Sequence, residues 1–125
     1  VKEGKPLLVT GSPGGSTIIT TTMQIILNVL EHKMSLSDAV SSPRFHHQWL
    51  PTRVIYEPQA FSADTRRALH RRGHNELVPL PGTYQIGDGN SVMRSNKGIE
   101  GMADPRNAGT AAGSSNRVTP VISIK

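Results

Sequence analysis

The sequence predicts helices layered on β-sheet, an α/β or α+β arrangement, on three observations. A short apolar run closes on glycine, a longer stretch repeats its apolar residues at helical spacing, and the elements follow in the order strand, helix, helix, strand, helix, strands. Leu7-Leu8-Val9-Thr10, after a Gly-Lys-Pro turn and before Gly11, is the first strand. Gly11-Ser12-Pro13-Gly14-Gly15-Ser16 is a loop, with Ser16 the expected N-cap of the next helix.

From Thr17 to Leu30 one apolar stripe holds Ile19, Met23, Ile26 and Leu30, and its neighbour holds Ile18, Ile25 and Val29. Gln24, Asn28 and Glu31 leave only a narrow polar edge, so a mostly buried helix is expected. Ser35-Leu36-Ser37-Asp38 is a capping-box pattern, with Asp in the Glu/Gln position, opening a short helix that must end by Ser42 ahead of Pro43. Pro43 to Pro51 is expected to be extended, and Arg53 to Glu57 a strand. Ser62 caps a third helix through Arg72, closed by Gly73. Glu76-Leu77-Val78 begins a strand, and Asn90–Arg94 with Gly98–Ala103 form a hairpin turning at Ser95-Asn96-Lys97-Gly98. Beyond Arg106 the composition shifts to Asn, Gly, Ala, Ser and Thr, so residues 107–125 are expected to be a mobile tail.

At 125 residues this is one modest domain. One Trp, two Tyr and two Phe suit either a self-sufficient core or half of a larger one. The opening Val1-Lys2-Glu3-Gly4-Lys5-Pro6 resembles a turn between two strands, as if cut from a longer chain. The absence of cysteine removes disulfides and Cys-based sites, and leans towards a periplasmic or extracellular address. No apolar run approaches the ~20 residues of a membrane span. The formal charge of +5 is scattered except at Arg66-Arg67 and Arg71-Arg72, around His70. Cations there suit the negative end of a helix dipole, and no aromatic residues interleave to stack on bases, so no nucleic-acid partner is expected.

The strand–glycine loop–helix unit is the richest stretch chemically. A helix N-terminus presents unpaired N–H groups and partial positive charge, and glycines ahead of it let a ligand approach the backbone. Such a unit holds a phosphate, a carboxylate or the oxyanion of acyl transfer; a tight packing turn needs the same glycines. The loop matches neither a Walker A sequence nor the dinucleotide fingerprint, and no cofactor is expected. His46 and His47 point to opposite faces of an extended segment, which argues against one shared metal. One is expected in the core and one at the surface, with His47 taken as structural. No G-x-S-x-G signature is present, and the Arg of Asp104-Pro105-Arg106 is expected in a structural ion pair.

Leu8 to Ser16 followed by Ile18-Ile19-Thr20-Thr21 resembles the glycine loop and helix start of γ-glutamyltranspeptidases. Pro43-Arg44-Phe45-His46-His47-Gln48-Trp49-Leu50-Pro51 is similar to the stretch after that helix in bacterial members, and Gly101 to Arg106 resembles the family's closing Gly-x-x-Asp-Pro-Arg. The resemblance implies the C-terminal segment of the small subunit, over residues 1–106, of an N-terminal-nucleophile hydrolase with an αββα sandwich that matures by self-cleavage. It implies an attacking N-terminal Thr, γ-glutamyl substrates such as glutathione, and an acyl-enzyme passed to water, amino acids or peptides. It assigns the oxyanion hole, and with it contact to substrate, to the backbone N–H groups of Gly14 and Gly15. The nucleophile and the residues gripping the glutamate would lie upstream of Val1. The expected partners are therefore the rest of the small subunit and the large subunit, whose arginine binds substrate. A glutaryl- or cephalosporin-type acylase shares these features, and a non-catalytic anion-binding module is a third reading.

Overall fold

The computed structural model describes residues 1–96 and 98–113; Lys97 and residues 114–125 of the expected tail lie outside the described residues. The element order is β1 (Leu8–Thr10), α1 (Thr17–Leu30), α2 (Leu36–Ser41), β2 (Phe45–His46), β3 (Val54–Tyr56), α3 (Ala63–Arg71), β4 (Leu77–Pro79), β5 (Ser91–Ser95) and β6 (Gly98–Met102). This is the mixed helix-and-sheet class that the element order predicts. The strands form two three-stranded sheets, β1-β5-β6 and β2-β3-β4. The first is antiparallel, with Leu8 opposite Met93 and Ser91 opposite Met102. In the second, β2 runs antiparallel to β3, while β3 and β4 are parallel because α3 carries the chain back between them.

The core lies where α1 and α2 cover one face of β1-β5-β6. Ile25, Leu36 and Val40 are buried there against Leu8, Met93 and Met102. The other face of that sheet carries Val9, Val92 and Ile99, and stays exposed, with Ile99 at 73%. Helix α1 matches its expected span but differs in which side is buried. Thr21, Gln24 and Ile25 face inwards, whereas Ile19, Met23, Ile26 and Leu30 are exposed, Ile19 at 75%. The Ile19-Met23-Ile26-Leu30 stripe finds no covering layer among the described residues, while Ile25 of the neighbouring stripe is in the core. Gln24 enters the interior because both ends of its amide are paired: Nε2 donates to the Phe45 carbonyl (2.7 Å) and Oε1 accepts from the Phe45 amide (3.1 Å).

Two caps behave differently from each other. Ser35 accepts from the Asp38 amide at 3.1 Å, as the capping pattern predicts, and its hydroxyl donates to the Asp38 carboxylate. Ser16 sits in helical geometry and makes no side-chain cap bond, so it is not the N-cap side chain expected of it. The Pro43–Pro51 segment gives only two strand residues. It then turns at Trp49 (φ +71°), where the Leu50 amide donates to the Gln48 carbonyl at 2.9 Å. Helix α3 buries no residue, so its arginines form an exposed helix end. At the start of the chain Lys2 and Lys5 exchange backbone hydrogen bonds of 2.8 and 3.0 Å around Glu3-Gly4, the turn expected there.

Candidate active site

The loop between β1 and α1 holds the two glycines singled out in the sequence. Gly14 (φ +129°) and Gly15 (φ +58°) both occupy backbone conformations that side chains disfavour. Their carbonyls are engaged: that of Gly14 accepts from the Thr17 amide (3.1 Å) and hydroxyl (2.9 Å), and that of Gly15 from the Ile18 amide (3.2 Å). Neither glycine amide donates to any group among the described residues, and both residues are exposed. Two free N–H groups at the mouth of a helix offer donors to incoming negative charge. The loop is braced by Ser12, whose Oγ donates to the Pro13 carbonyl (2.7 Å) and accepts from the Asp88 amide (2.8 Å).

His46, rather than His47, is the structural histidine. It is buried, with Nδ1 2.8 Å from Thr20 Oγ1 in the first turns of α1 and Nε2 2.9 Å from Gln48 Oε1. His47 is half-buried, its ring edge-on to that of His74 at 5.6 Å. The division into one core and one outer histidine therefore holds, with the assignment reversed. The pattern Phe-His-His carries no signal for which strand face points inwards.

Behind the loop lies a buried group of four charges. Arg44 Nη2 meets Asp104 Oδ2 at 2.7 Å, and Arg106 reaches Glu57 Oε2 (2.5 Å) and Asp104 Oδ1 (3.1 Å). Arg106 Nε also donates to Glu57 Oε1 at 2.8 Å, making a fork across one carboxylate. This is the ion pair expected of Arg106. Arg44, Glu57 and the second pairing were not foreseen, because partners 49 and 60 residues apart leave no local pattern. Burial alone would raise the Glu57 carboxyl, but hydrogen bonds from Arg106 and from the Ile86 and Arg44 amides outweigh it and hold it below the usual range. Burial acts on Asp104 in the same way and is outweighed by the Gly89 and Arg106 amides and by Arg44. The Arg44 guanidinium is lowered by burial and by the nearby Arg106 charge. Arg106 is raised, since Glu57 and Asp104 overcome its burial. The Gly89 amide donates to Asp104 Oδ2 at 2.6 Å, and its neighbour Asp88 holds Ser12, so the charge group reaches the glycine loop through two consecutive residues.

A family model described as gamma-glutamyltranspeptidase matches residues 1–114. The chain belongs to the γ-glutamyltranspeptidase family. It is 41% identical over 107 residues to a glutathione hydrolase proenzyme of Escherichia coli (strain K12), covering 85% of this chain and 18% of that relative. The solved structure of a Helicobacter pylori γ-glutamyltranspeptidase mutant superposes with a TM-score of 0.77 at 42% identity, over 86% of this chain and 57% of that one. A Bacillus halodurans cephalosporin acylase superposes with a TM-score of 0.79 at 28% identity, over 94% of this chain and 22% of that one. This γ-glutamyltranspeptidase chain thus spans about a fifth of the E. coli relative's length, 18%. No helix among its described residues is long and apolar enough to cross a membrane.

Proposed function

We propose that the chain supplies the oxyanion hole and part of the core of a γ-glutamyltransferase/glutathione hydrolase. The observation that carries this reading is the pair of undonated amides, Gly14 and Gly15, at the mouth of α1 in a chain of this family. Acyl transfer puts negative charge on the carbonyl oxygen under attack, and fixed N–H donors lower the barrier by meeting that charge as it develops. The nucleophile is the hydroxyl of an N-terminal Thr elsewhere in the protein, its proton passing to that residue's own α-amine and on to the leaving amine. The γ-glutamyl ester then goes to water, an amino acid or a peptide. The reading invokes no cofactor. Its partners are the rest of the small subunit and the large subunit, its substrates are γ-glutamyl compounds such as glutathione, and its address is periplasmic or extracellular.

The second reading is an acylase for glutaryl or cephalosporin amides, favoured by the superposition on the Bacillus halodurans cephalosporin acylase. The same loop would serve both, so the substrate-gripping residues decide. The full-length protein should release chromophore from a γ-glutamyl anilide with far higher kcat/KM than from the glutaryl anilide, which lacks the α-amino group. Preference for the glutaryl compound would establish the acylase; turnover of neither would leave an anion-binding module.

A further inference from the structure

We infer that the hydroxyls of Ser12 and Thr17 are positioning groups that aim the Gly14 and Gly15 amides, a step that rests on the oxyanion reading above. Every peptide bond in the loop is trans, so each N–H lies in one rigid plane with the preceding carbonyl and points the opposite way. The Gly14 N–H shares its plane with the Pro13 carbonyl, and the Gly15 N–H with the Gly14 carbonyl. Ser12 Oγ donates to the first of these carbonyls at 2.7 Å, and Thr17 Oγ1 to the second at 2.9 Å. Holding each carbonyl fixes the direction of the amide on its far side.

The polarity of these bonds is what sets them apart. At a helix N-terminus the groups lacking partners are N–H groups, and a capping hydroxyl accepts from them. Here Ser16, in the capping position, makes no such bond, while Ser12 and Thr17 donate to carbonyls. The Ser12 hydroxyl is itself fixed, since it accepts from the Asp88 amide at 2.8 Å. Position 87 must lack a side chain for this hydroxyl to stand where it does, because a Cβ there would lie 2.5 Å from Ser12 Oγ. On the other side, a Cβ on Gly14 would overlap Thr17 Oγ1.

The test uses the full-length protein, with kcat and KM for a γ-glutamyl anilide, subunit maturation on a gel, and thermal melting. Ser12→Ala and Thr17→Val should each lower kcat about tenfold or more, a part of the loss expected for removing a donor outright. KM should stay within about twofold, and Ser12→Thr and Thr17→Ser should restore kcat to within about threefold of the parent. Matured, folded Ser12→Ala and Thr17→Val enzymes with near-parental kcat would overturn the proposal, as would a loss shared equally by Thr17→Ser, which keeps the hydroxyl. Should Ser12→Ala fail to fold or mature, Thr17→Val, an isosteric change at the loop surface, decides alone. Gly15→Val separates the two levels. If it loses kcat while the hydroxyl variants do not, only the positioning step fails; if it keeps kcat, the oxyanion reading itself falls.

Discussion

Asp104 takes hydrogen bonds from the Gly89 and Arg106 amides and from both arginine side chains while almost fully buried. Removing it leaves Arg44 charged and enclosed without its paired carboxylate, with only the Ile86 and Val40 carbonyls and the more distant Glu57 charge to offset it. Breaking a buried pair in this way costs about 3–5 kcal/mol, so Asp104→Ala should lower the melting temperature of the full-length protein steeply. The pH dependence follows from the two carboxylates. Glu57 and Asp104 are both lowered on folding, so the folded state binds fewer protons than the unfolded chain as acid is added. Their contribution is fully present above the unfolded values, about 4, and is lost as pH falls through the lower folded ones. Melting should therefore hold steady above about pH 5 and fall below about pH 4, and less steeply in Glu57→Gln. The histidines behave differently. His46→Ala empties a buried site and removes two side-chain hydrogen bonds, to Thr20 and Gln48, and should cost about 1–3 kcal/mol, whereas His47→Ala loses mainly a ring contact with His74 and should cost less. A denaturation series on both variants checks the order.

Among the elements, α1 was legible in its length and misleading in its orientation. Ile19, Met23, Ile26 and Leu30 at helical spacing gave the span Thr17–Leu30, yet Thr21, Gln24 and Ile25 form its inner face. Periodicity reports where an apolar face lies and is silent on whether the same chain covers it. The Ser35 cap and the closure of α3 at Gly73 (φ +93°) were readable because each depends on residues within one turn. The Ser12 brace was unreadable, because it depends on the Asp88 amide 76 residues away. Ser35→Ala should weaken α2 by about 1 kcal/mol, and Ser16→Ala, with no cap bond to lose, should change stability little. Paired thermal melts of the two variants test the contrast.

For the whole molecule, two apolar surfaces lie open on opposite sides of one layer pair: the outer stripe of α1, and Val9, Val92 and Ile99 on the far side of β1-β5-β6. The uncovered apolar face of the sheet layer matches one half of the αββα sandwich that the family resemblance implies, whose second sheet would cover it, while the open stripe of α1 calls for a further partner. The chain expressed by itself should bind hydrophobic dyes or associate, and a monomer with sharp two-state melting and no dye binding would show that its core is complete. By itself it should not turn over a γ-glutamyl anilide, since the nucleophile is assigned outside it. The central claim is that Gly14 and Gly15 stabilise the oxyanion, and kcat of Gly15→Val in the matured full-length protein tests it most directly. At φ +58°, with open space around the added Cβ, the change acts on backbone direction and on substrate approach rather than on packing. The account predicts a fall in kcat of about a hundredfold or more in protein that is still folded and matured, though strained at residue 15, with His47→Ala still active. Near-normal kcat in Gly15→Val, with activity abolished in a folded His47→Ala, would contradict it and turn attention to the histidine.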